Sequence, residues 1–364
     1  MSGKRSGGSS VGAKKPHAHK SSYVAEIALI IALPEERSYF RRCVDGRSGW
    51  TANDERQRFD CRYDSAAGPV RVRVATLDGM GHIPAVLGTS STVSSMSPRL
   101  AIMVGIAGTM QPAEVGLGDV VISNQAKFFA SDKVAALKKA NGTPTEYLLG
   151  DLADIKNGRA NGKIVVDRRD RFLADSFFRY ERGYVESCYT DDIITTVEPD
   201  LKLVSLKSLE EIDLPDSIRE LESSNRERKV HGGWLLGGNH VVDSKEYREY
   251  LNEKNKELAL DIHRQKGDHE RVQWKNGELL AVDMESYGFL KAVELARTTP
   301  AYLGGCQNLI GGIVVRGISD LCEEKSDLDA SFPKNDIRRI AVENATEICL
   351  RLIEGIDYQS ILFG

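Results

Sequence analysis

The chain lacks a long hydrophobic run and lacks a charge imbalance. No apolar stretch among its 364 residues approaches the roughly twenty residues that cross a bilayer. Its 49 Lys and Arg residues against 53 Asp and Glu residues give a formal net charge of -4. This balance gives no reason to expect nucleic acid or an anionic membrane as a partner. We expect a protein that does not enter membranes.

Cysteine and histidine motifs are also absent. The six cysteines are scattered, with no C-x-x-C pair and no histidine pair at metal-binding spacing. We therefore expect reduced thiols in a cytoplasmic protein, no metal and no cofactor. Residues 1–22 are rich in Gly, Ser, Lys and His and have no apolar core of a secretory signal, so we predict a disordered tail.

What the sequence does contain is an alternation of strand and helix patterns. Val24 to Ala32 is a nearly continuous apolar run typical of a central strand, and Pro34 then opens a helix. Val70 to Leu77 alternates as a half-exposed strand does, and Asp336 to Ile356 has the periodicity of an amphipathic helix. The pattern predicts a layered α/β/α domain over residues 23–364. A charged, weakly periodic stretch at about 131–231 interrupts it and is interpreted as an insertion.

Two apolar runs near the C-terminal end each lead to an acid. Leu279 to Val282 precedes the segment that contains Glu285, and Ile310 to Val315 precedes the segment that ends at Asp320. We expect Glu285 at a helix start and Asp320 in a loop. Open α/β sheets bind ligands at the carboxyl ends of strands. A single acid after a strand is most often a helix cap or a turn residue, so only the combination indicates a site, one suited to a nucleoside.

Six motifs occur in the order of a known family. They are Ala32-Leu33-Pro34-Glu35-Glu36, Asp78-Gly79-Met80-Gly81, Val104-Gly105-Ile106-Ala107-Gly108, Gly116-Leu117-Gly118-Asp119-Val120-Val121, Val282-Asp283-Met284-Glu285 and Val315-Arg316-Gly317-Ile318-Ser319-Asp320. From Ile27 to the C-terminal helix the chain resembles the purine nucleoside phosphorylase and methylthioadenosine nucleosidase superfamily, with a poor match at 131–231. The resemblance implies a three-layer α/β/α fold with a central twisted mixed sheet, and a homo-oligomer.

The resemblance also implies roles for individual residues. Met284 would lie against the ribose face, Glu285 would bind the 2′- and 3′-hydroxyls, and a carboxylate suits a diol because it accepts two hydrogen bonds. Asp320 would donate a proton to N7 of the purine, and Glu36 would activate water. The remaining residues expected to contact substrate are Gly81, Ile106, Ala107, Gly108, Ser319, Val241 and Arg316.

The loop after the first strand bears on the choice between hydrolysis and phosphorolysis. A phosphorylase of this family needs a cationic, Gly-rich loop there to hold inorganic phosphate. Here the loop has no glycine and carries Glu35 and Glu36, which would repel phosphate. The sequence therefore favours a purine nucleosidase, with a phosphorylase as an alternative. Taken alone, Glu36 would be interpreted as a solvated residue in the first turn of a helix.

Some positions depart from the family pattern. Ile106 replaces a Ser or Thr, Asn239 replaces an acid, and Val241 stands where an aromatic residue often stacks on the base. Phe128 or Phe129 are candidates to stack on the purine instead. These departures leave open a second class of function, a nucleotide-binding sensor module without turnover.

The insertion leaves open whether the substrate is a nucleoside or a nucleotide. Insertion-bearing members of the superfamily act in antiphage defence by cleaving the glycosidic bond of ATP, which here would give adenine and ribose triphosphate. Phosphates need cations, and the candidates are Arg71 or Arg73 together with insertion residues Lys138, Lys139, Arg168, Arg169 and Arg171. The alternative is that these basic residues form an ordinary solvated surface.

Overall fold

The computed structural model of the protein describes residues 23–53, 59–130, 136–138, 144–147, 181–186, 227–238, 241–243, 245, 248–249, 251–253, 255–256, 278–306, 308–323 and 334–359. The tail at 1–22 and most of the insertion lie outside these residues, as do the insertion side chains named as phosphate ligands. The sequence also predicts a helix near Leu214 to Arg228, and this segment lies almost entirely outside the described residues. Within the described ranges, no helix combines the length and the apolarity needed to span a membrane.

The described elements follow the alternation expected from the sequence. The strands are β1 Ala25–Ile31, β2 Trp50–Asn53, β3 Phe59–Ser65, β4 Gly68–Thr76, β5 Leu100–Thr109, β6 Val120–Ser123, β7 Gln125–Ala130, β8 Ala136–Lys138, β9 Pro144–Tyr147, β10 Glu181–Glu186, β11 Val230–Gly232, β12 Trp234–Gly237, β13 Leu279–Asp283 and β14 Gly311–Asp320. The helices are α1 Pro34–Val44, α2 His82–Met96, α3 Ser286–Thr298 and α4 Lys334–Gly355. Residues 248–249, 251–253 and 255–256 are also helical.

The main sheet is mixed and β5 lies at its centre. β1 pairs in parallel with both β4 and β5, and β14 pairs in parallel with β5 on the same sheet. β13 runs antiparallel to β5, with Val282 opposite Gly108. The carboxyl-terminal half of β5 is therefore flanked by the last residues of both β13 and β14, which carry the acids noted in the sequence.

Helices cover both faces of this sheet. On one face α2 and α3 contribute a core that contains Ala85, Val93, Phe289, Leu290 and Val293. On the other face α1 and α4 contribute a second core that contains Phe40, Val44, Ile348 and Leu352. Each such side chain, when fully buried, stabilises the fold by roughly 1.5–3 kcal/mol relative to exposure. These two cores make three layers, so the predicted α/β/α fold is confirmed.

One expectation about β14 is wrong. The apolar pattern ended near Val315 and placed Asp320 in a loop, but the strand continues to Asp320. The continuation follows from pairing, because Gly317 and Ile318 stay in register with Ile106 and Ala107 of β5 and an irregularity falls between Ile318 and Asp320. Asp320 is thus held at a strand end by a neighbouring strand.

Part of the 131–231 segment joins the main sheet. β10 pairs antiparallel with β7 over Glu181 to Glu186, and β11 pairs in parallel with β6. β8 and β9 form a separate two-stranded sheet. The division of the chain into a tail, a domain and an insertion stays a prediction.

Candidate active site

Acidic side chains gather around the carboxyl-terminal half of β5. Glu36, Glu285 and Asp320 are 4%, 6% and 5% exposed. Carboxylates with so little exposed surface are rare in proteins unless they are paired. Their burial therefore indicates either charged or hydrogen-bonding partners or a function. The structure provides partners for each.

Glu36 lies in the first turn of α1 and is held by two backbone donors. Its Oε2 accepts a hydrogen bond from the N–H of Leu33 at 3.1 Å, which caps the helix, and its Oε1 accepts one from the N–H of Ile106 at 3.3 Å. Burial raises the pKa of Glu36 to about 7, while the nearby Arg316 guanidinium acts in the opposite direction. The interpretation of Glu36 as a solvated helix residue is therefore wrong.

Arg316 lies between the acids and has no exposed surface. Its Nε donates to Oδ2 of Asp283 at 2.6 Å, and its Nη2 lies 3.4 Å from Oε2 of Glu285. The same nitrogen lies 3.1 Å from Sδ of Met103. The positive charge of Arg316 thus offsets part of the negative charge of Asp283, Glu285 and Glu36.

Gly105 makes room for this arrangement. A Cβ atom at position 105 would lie 2.1 Å from Nη1 of Arg316 and 3.1 Å from Oε1 of Glu36. Any residue other than glycine would displace the guanidinium. The glycine in the Val104-Gly105-Ile106 motif is therefore explained by side-chain proximity.

Glu285 immediately precedes α3 and contacts the turn before α2. Its Oε1 accepts a hydrogen bond from the N–H of Gly81 at 2.9 Å. Burial raises its pKa and Arg316 opposes that shift. Asp283, two residues earlier, accepts hydrogen bonds from the backbone N–H of Ser286 at 3.1 Å and from the hydroxyl of Ser286. Asp283 thus fixes both the helix start and Arg316.

Asp320 is held by its own strand end. Its Oδ2 accepts a hydrogen bond from Oγ of Ser319 at 3.1 Å, and its Oδ1 accepts one from the N–H of Cys322 at 3.2 Å. A Cβ atom on Gly108 would lie 2.5 Å from that Oδ1. Asp320 therefore lies against β5 at Gly108, whereas Glu36 and Arg316 lie against β5 at Gly105.

Other residues expected to contact substrate lie nearby or at the edge. Met284 is half-buried between Asp283 and Glu285, and the carbonyl of Ala107 lies 3.4 Å from Oγ of Ser319. Ile106 contributes its backbone N–H to Glu36 in spite of its apolar side chain. Val241 is 46% exposed, and the contacts of the described residues do not join it to the acids.

An aromatic cluster adjoins Glu285. The ring of Phe128 stacks on Tyr287 with centroids 4.8 Å apart, and the ring of His82 packs edge-on against Phe128 at 4.6 Å. His82 follows Gly81, and Tyr287 lies two residues after Glu285. The sequence named Phe128 but gave no signal for His82 or Tyr287. Phe129, as a side chain, and Asn239 lie outside the described residues.

The site is organised for acid–base chemistry. The sequence singled out the acids and Arg316 but missed Asp283 as the main partner of Arg316, although Asp283 stands within the motif that supplied Glu285. Within the described ranges, no group of three or more His, Cys, Asp or Glu side chains has the arrangement of a metal site. A carboxyl with a pKa near 7 beside a fixed guanidinium suits proton transfer at neutral pH.

A comparison with protein-family models identifies the family of the chain. The family model described as the phosphorylase superfamily matches residues 26–354. No match was found among curated protein sequences.

Among solved structures, one similar chain is a 5′-methylthioadenosine/S-adenosylhomocysteine nucleosidase from Neisseria meningitidis in complex with methylthio-immucillin-A. It is 15% identical with a TM-score of 0.48, and the match covers 91% of this chain and 100% of that chain. A futalosine hydrolase of Helicobacter pylori is 12% identical with a TM-score of 0.47, covering 92% and 99% of the two chains. A nucleosidase from S. pneumoniae with a transition-state inhibitor is 14% identical with a TM-score of 0.48, covering 91% and 100%.

Proposed function

Because the chain belongs to the phosphorylase superfamily, we propose that it hydrolyses the N-glycosidic bond of a purine nucleoside or nucleotide. The observation that carries this proposal is the buried position of Glu36 close to Arg316. A buried carboxyl whose pKa is about 7 is suited to deprotonate water at neutral pH. A solvated carboxylate at its ordinary pKa would be a weaker base.

The same two residues favour water over phosphate as the nucleophile. Arg316 is the cation nearest to Glu36 in the described contacts, and it is engaged by Asp283 and Glu285. A fully buried guanidinium with these partners is not free to hold a phosphate ion. The other charged side chains described at this position are acids, which repel phosphate.

In the proposed reaction Glu36 takes a proton from water, and the water oxygen bonds to C1′ of the ribose. The bond between C1′ and the base breaks, and its electron pair leaves with the purine. In this proposal Asp320 donates a proton to N7, so the base leaves as a neutral molecule. Glu285 accepts hydrogen bonds from the 2′- and 3′-hydroxyls, and Met284 lies against the sugar, where electron-rich groups stabilise positive charge on the ribose.

The finer form of the proposal, cleavage of ATP to adenine and ribose triphosphate in antiphage defence, depends on cations for the phosphates. Arg71 and Arg73 are poorly suited, because Arg71 lies 2.7 Å from one oxygen of Asp60 and Arg73 lies 3.5 Å from the other. The remaining candidates lie in the insertion, outside the described side chains. The choice between nucleoside and nucleotide therefore rests on experiment.

The test is incubation of the full chain with adenosine, methylthioadenosine, AMP and ATP, with and without inorganic phosphate. Free adenine is measured, together with ribose or ribose 1-phosphate as the sugar product. Release of adenine without phosphate, with oxygen from ¹⁸O-water in the sugar, supports hydrolysis. Release only with phosphate supports the phosphorylase alternative, and binding without release under any condition supports the sensor alternative.

A further inference from the structure

A buried arginine outside the acid cluster contacts the segment that holds Asp320. Arg248 is 4% exposed and lies in the helical residues 248–249. Its Nη1 donates to the carbonyl oxygen of Leu321 at 2.5 Å, and its Nη2 lies 3.2 Å from Oε2 of Glu323. None of the sequence motifs includes Arg248, and the reaction proposed above does not use it.

The contacted carbonyl belongs to the same peptide group that binds Asp320. The peptide between Leu321 and Cys322 presents its oxygen to Arg248 and its N–H to Oδ1 of Asp320 at 3.2 Å. A peptide group is planar, so fixing its oxygen also fixes its N–H. A charged donor on the oxygen also polarises the group and strengthens its N–H as a donor.

The backbone next to this peptide group is strained, and the hydrogen bond from Arg248 stabilises it. Cys322 has φ 58°, a left-handed conformation that residues other than glycine adopt at a cost of roughly 1–2 kcal/mol. This strained residue immediately follows the peptide group that contacts both Arg248 and Asp320. The same helical segment makes a second contact of this type, since Nδ2 of Asn252 donates to the carbonyl of Met110, just beyond β5, at 2.9 Å.

We propose that Arg248 is a positioning residue that acts on Asp320 through the Leu321–Cys322 peptide. The inference rests on the proposed function. The N–H of Cys322 occupies Oδ1, which leaves Oδ2, the oxygen that accepts from Ser319, to face the leaving base. Arg248 thereby determines which oxygen of Asp320 faces N7 of the leaving base.

The test compares Arg248→Met and Arg248→Lys with wild type on the best substrate of the adenine-release assay. We expect Arg248→Met to lower kcat on the order of 100-fold with little change in KM, because misplacing a reacting group by about 1 Å has that effect. Added guanidinium ion should restore part of the kcat of Arg248→Met. Arg248→Lys, which keeps the charge and a donor, should retain more activity.

A double-mutant cycle separates positioning from general destabilisation. If Arg248 acts through Asp320, adding Arg248→Met to Asp320→Asn should lower kcat by less than twofold further. Arg47→Met serves as a control, because Arg47 also joins two carboxylates, Glu347 and Glu354, and none of these three residues takes part in the proposed reaction. It should lower the thermal midpoint and leave kcat unchanged. Full additivity in the cycle, or an unchanged kcat in Arg248→Met, would overturn the proposal.

A measurement that does not depend on turnover distinguishes failure of the proposed function from failure of the proposed role of Arg248. Amide hydrogen exchange over residues 308–323 should increase in Arg248→Met and stay unchanged in Arg47→Met. If wild type releases no base from any substrate, the proposed function fails, and the exchange result then decides by itself whether Arg248 holds the peptide. Unchanged exchange in Arg248→Met would refute the proposal whether or not the protein is active.

Discussion

Arg316 binds Asp283 through its Nε at 2.6 Å, and this contact joins the inner part of β14 to the last residue of β13 across the centre of the sheet. Two strands that run in opposite directions relative to each other are thereby fixed at one place on β5. The geometry of the candidate site therefore depends on this ion pair as well as on the acids proposed to act in the reaction, Glu36 and Asp320.

Removal of Arg316 should be strongly destabilising. Arg316→Met would leave Asp283, Glu285 and Glu36 buried without their common cation, at a cost of about 3–5 kcal/mol. The loss should be larger at pH 8 than at pH 5, because the carboxyls can take up protons at the lower pH. Urea unfolding at both pH values checks this, with Arg62→Met as control, since Arg62 and Asp64 form an exposed pair that should contribute less than about 1 kcal/mol. Equal losses at both pH values would contradict the assignment.

The activity of wild type should rise with pH as Glu36 loses its proton. Because burial raises the pKa of Glu36 to about 7, kcat/KM for base release should increase through that pH and level off above it. Glu36→Gln should lower kcat by roughly 10²- to 10⁴-fold and abolish this limb of the profile. A pH–rate profile of both proteins is the measurement, and an unchanged acidic limb in Glu36→Gln would exclude Glu36 as the base.

The same group should make stability depend on pH. The folded protein binds the proton of Glu36 more tightly than the unfolded chain does, with a pKa of about 7 against an ordinary value of 4.5. This contribution is fully present below pH 4.5 and is lost as the pH rises through about 7, a change of about 3 kcal/mol. Glu36→Gln should therefore be less sensitive to pH between 5 and 8 than wild type. Denaturant unfolding across this range tests the sign, and a parallel dependence in both proteins would show that another group is responsible.

Substitution of Gly105 should disrupt the site without touching an acid. In Gly105→Ala the new Cβ would overlap Nη1 of Arg316, which cannot retreat because Asp283 and Glu285 hold it. We expect loss of most base-releasing activity and a lower thermal midpoint. Gly79→Ala is the control, since its Cβ would meet Pro84 at an ordinary 3.7 Å. An active Gly105→Ala protein would mean that Arg316 can move without effect on the reaction.

Asp320→Asn should separate binding from turnover. Asparagine can still accept the N–H of Cys322 but cannot supply the acidic proton, so kcat should fall by roughly 10²- to 10⁴-fold while nucleoside affinity changes little. Calorimetric binding of adenosine and the adenine-release assay together check this. Parallel loss of both would indicate that Asp320 serves mainly to bind substrate.

Much of the fold could be predicted because the inner strands are buried on both faces. Continuous apolar runs such as Leu279 to Val282 can be recognised without tertiary information. The helix at 334–355 can be recognised from the helical periodicity of its apolar residues. The end of β14 could not be predicted in this way, since Gly317 to Asp320 is strand only because β5 provides a partner.

The acids of the candidate site could be predicted from the sequence, but the contacts between its side chains could not. Glu36 and Glu285 follow strands in recognisable motifs and Asp320 ends one, whereas the partners of Arg316 depend on how β13 and β14 approach β5. Arg248 carries no local signal at all, because its contact with Leu321 spans two elements that are distant in sequence. Burial of Glu36 was likewise hidden, since a first-turn glutamate is ordinarily solvated.

The pairing of β10 with β7 ties the 131–231 segment to the strand that carries Phe128. Excising that segment would strip the outermost strand from this side of the sheet and uncover the backbone donors and acceptors of Gln125 to Ala130. An exposed edge strand of this kind can form backbone hydrogen bonds with the edge strand of another chain. Truncated versions of the protein would therefore be prone to self-association, and shortening should spare Glu181 to Glu186.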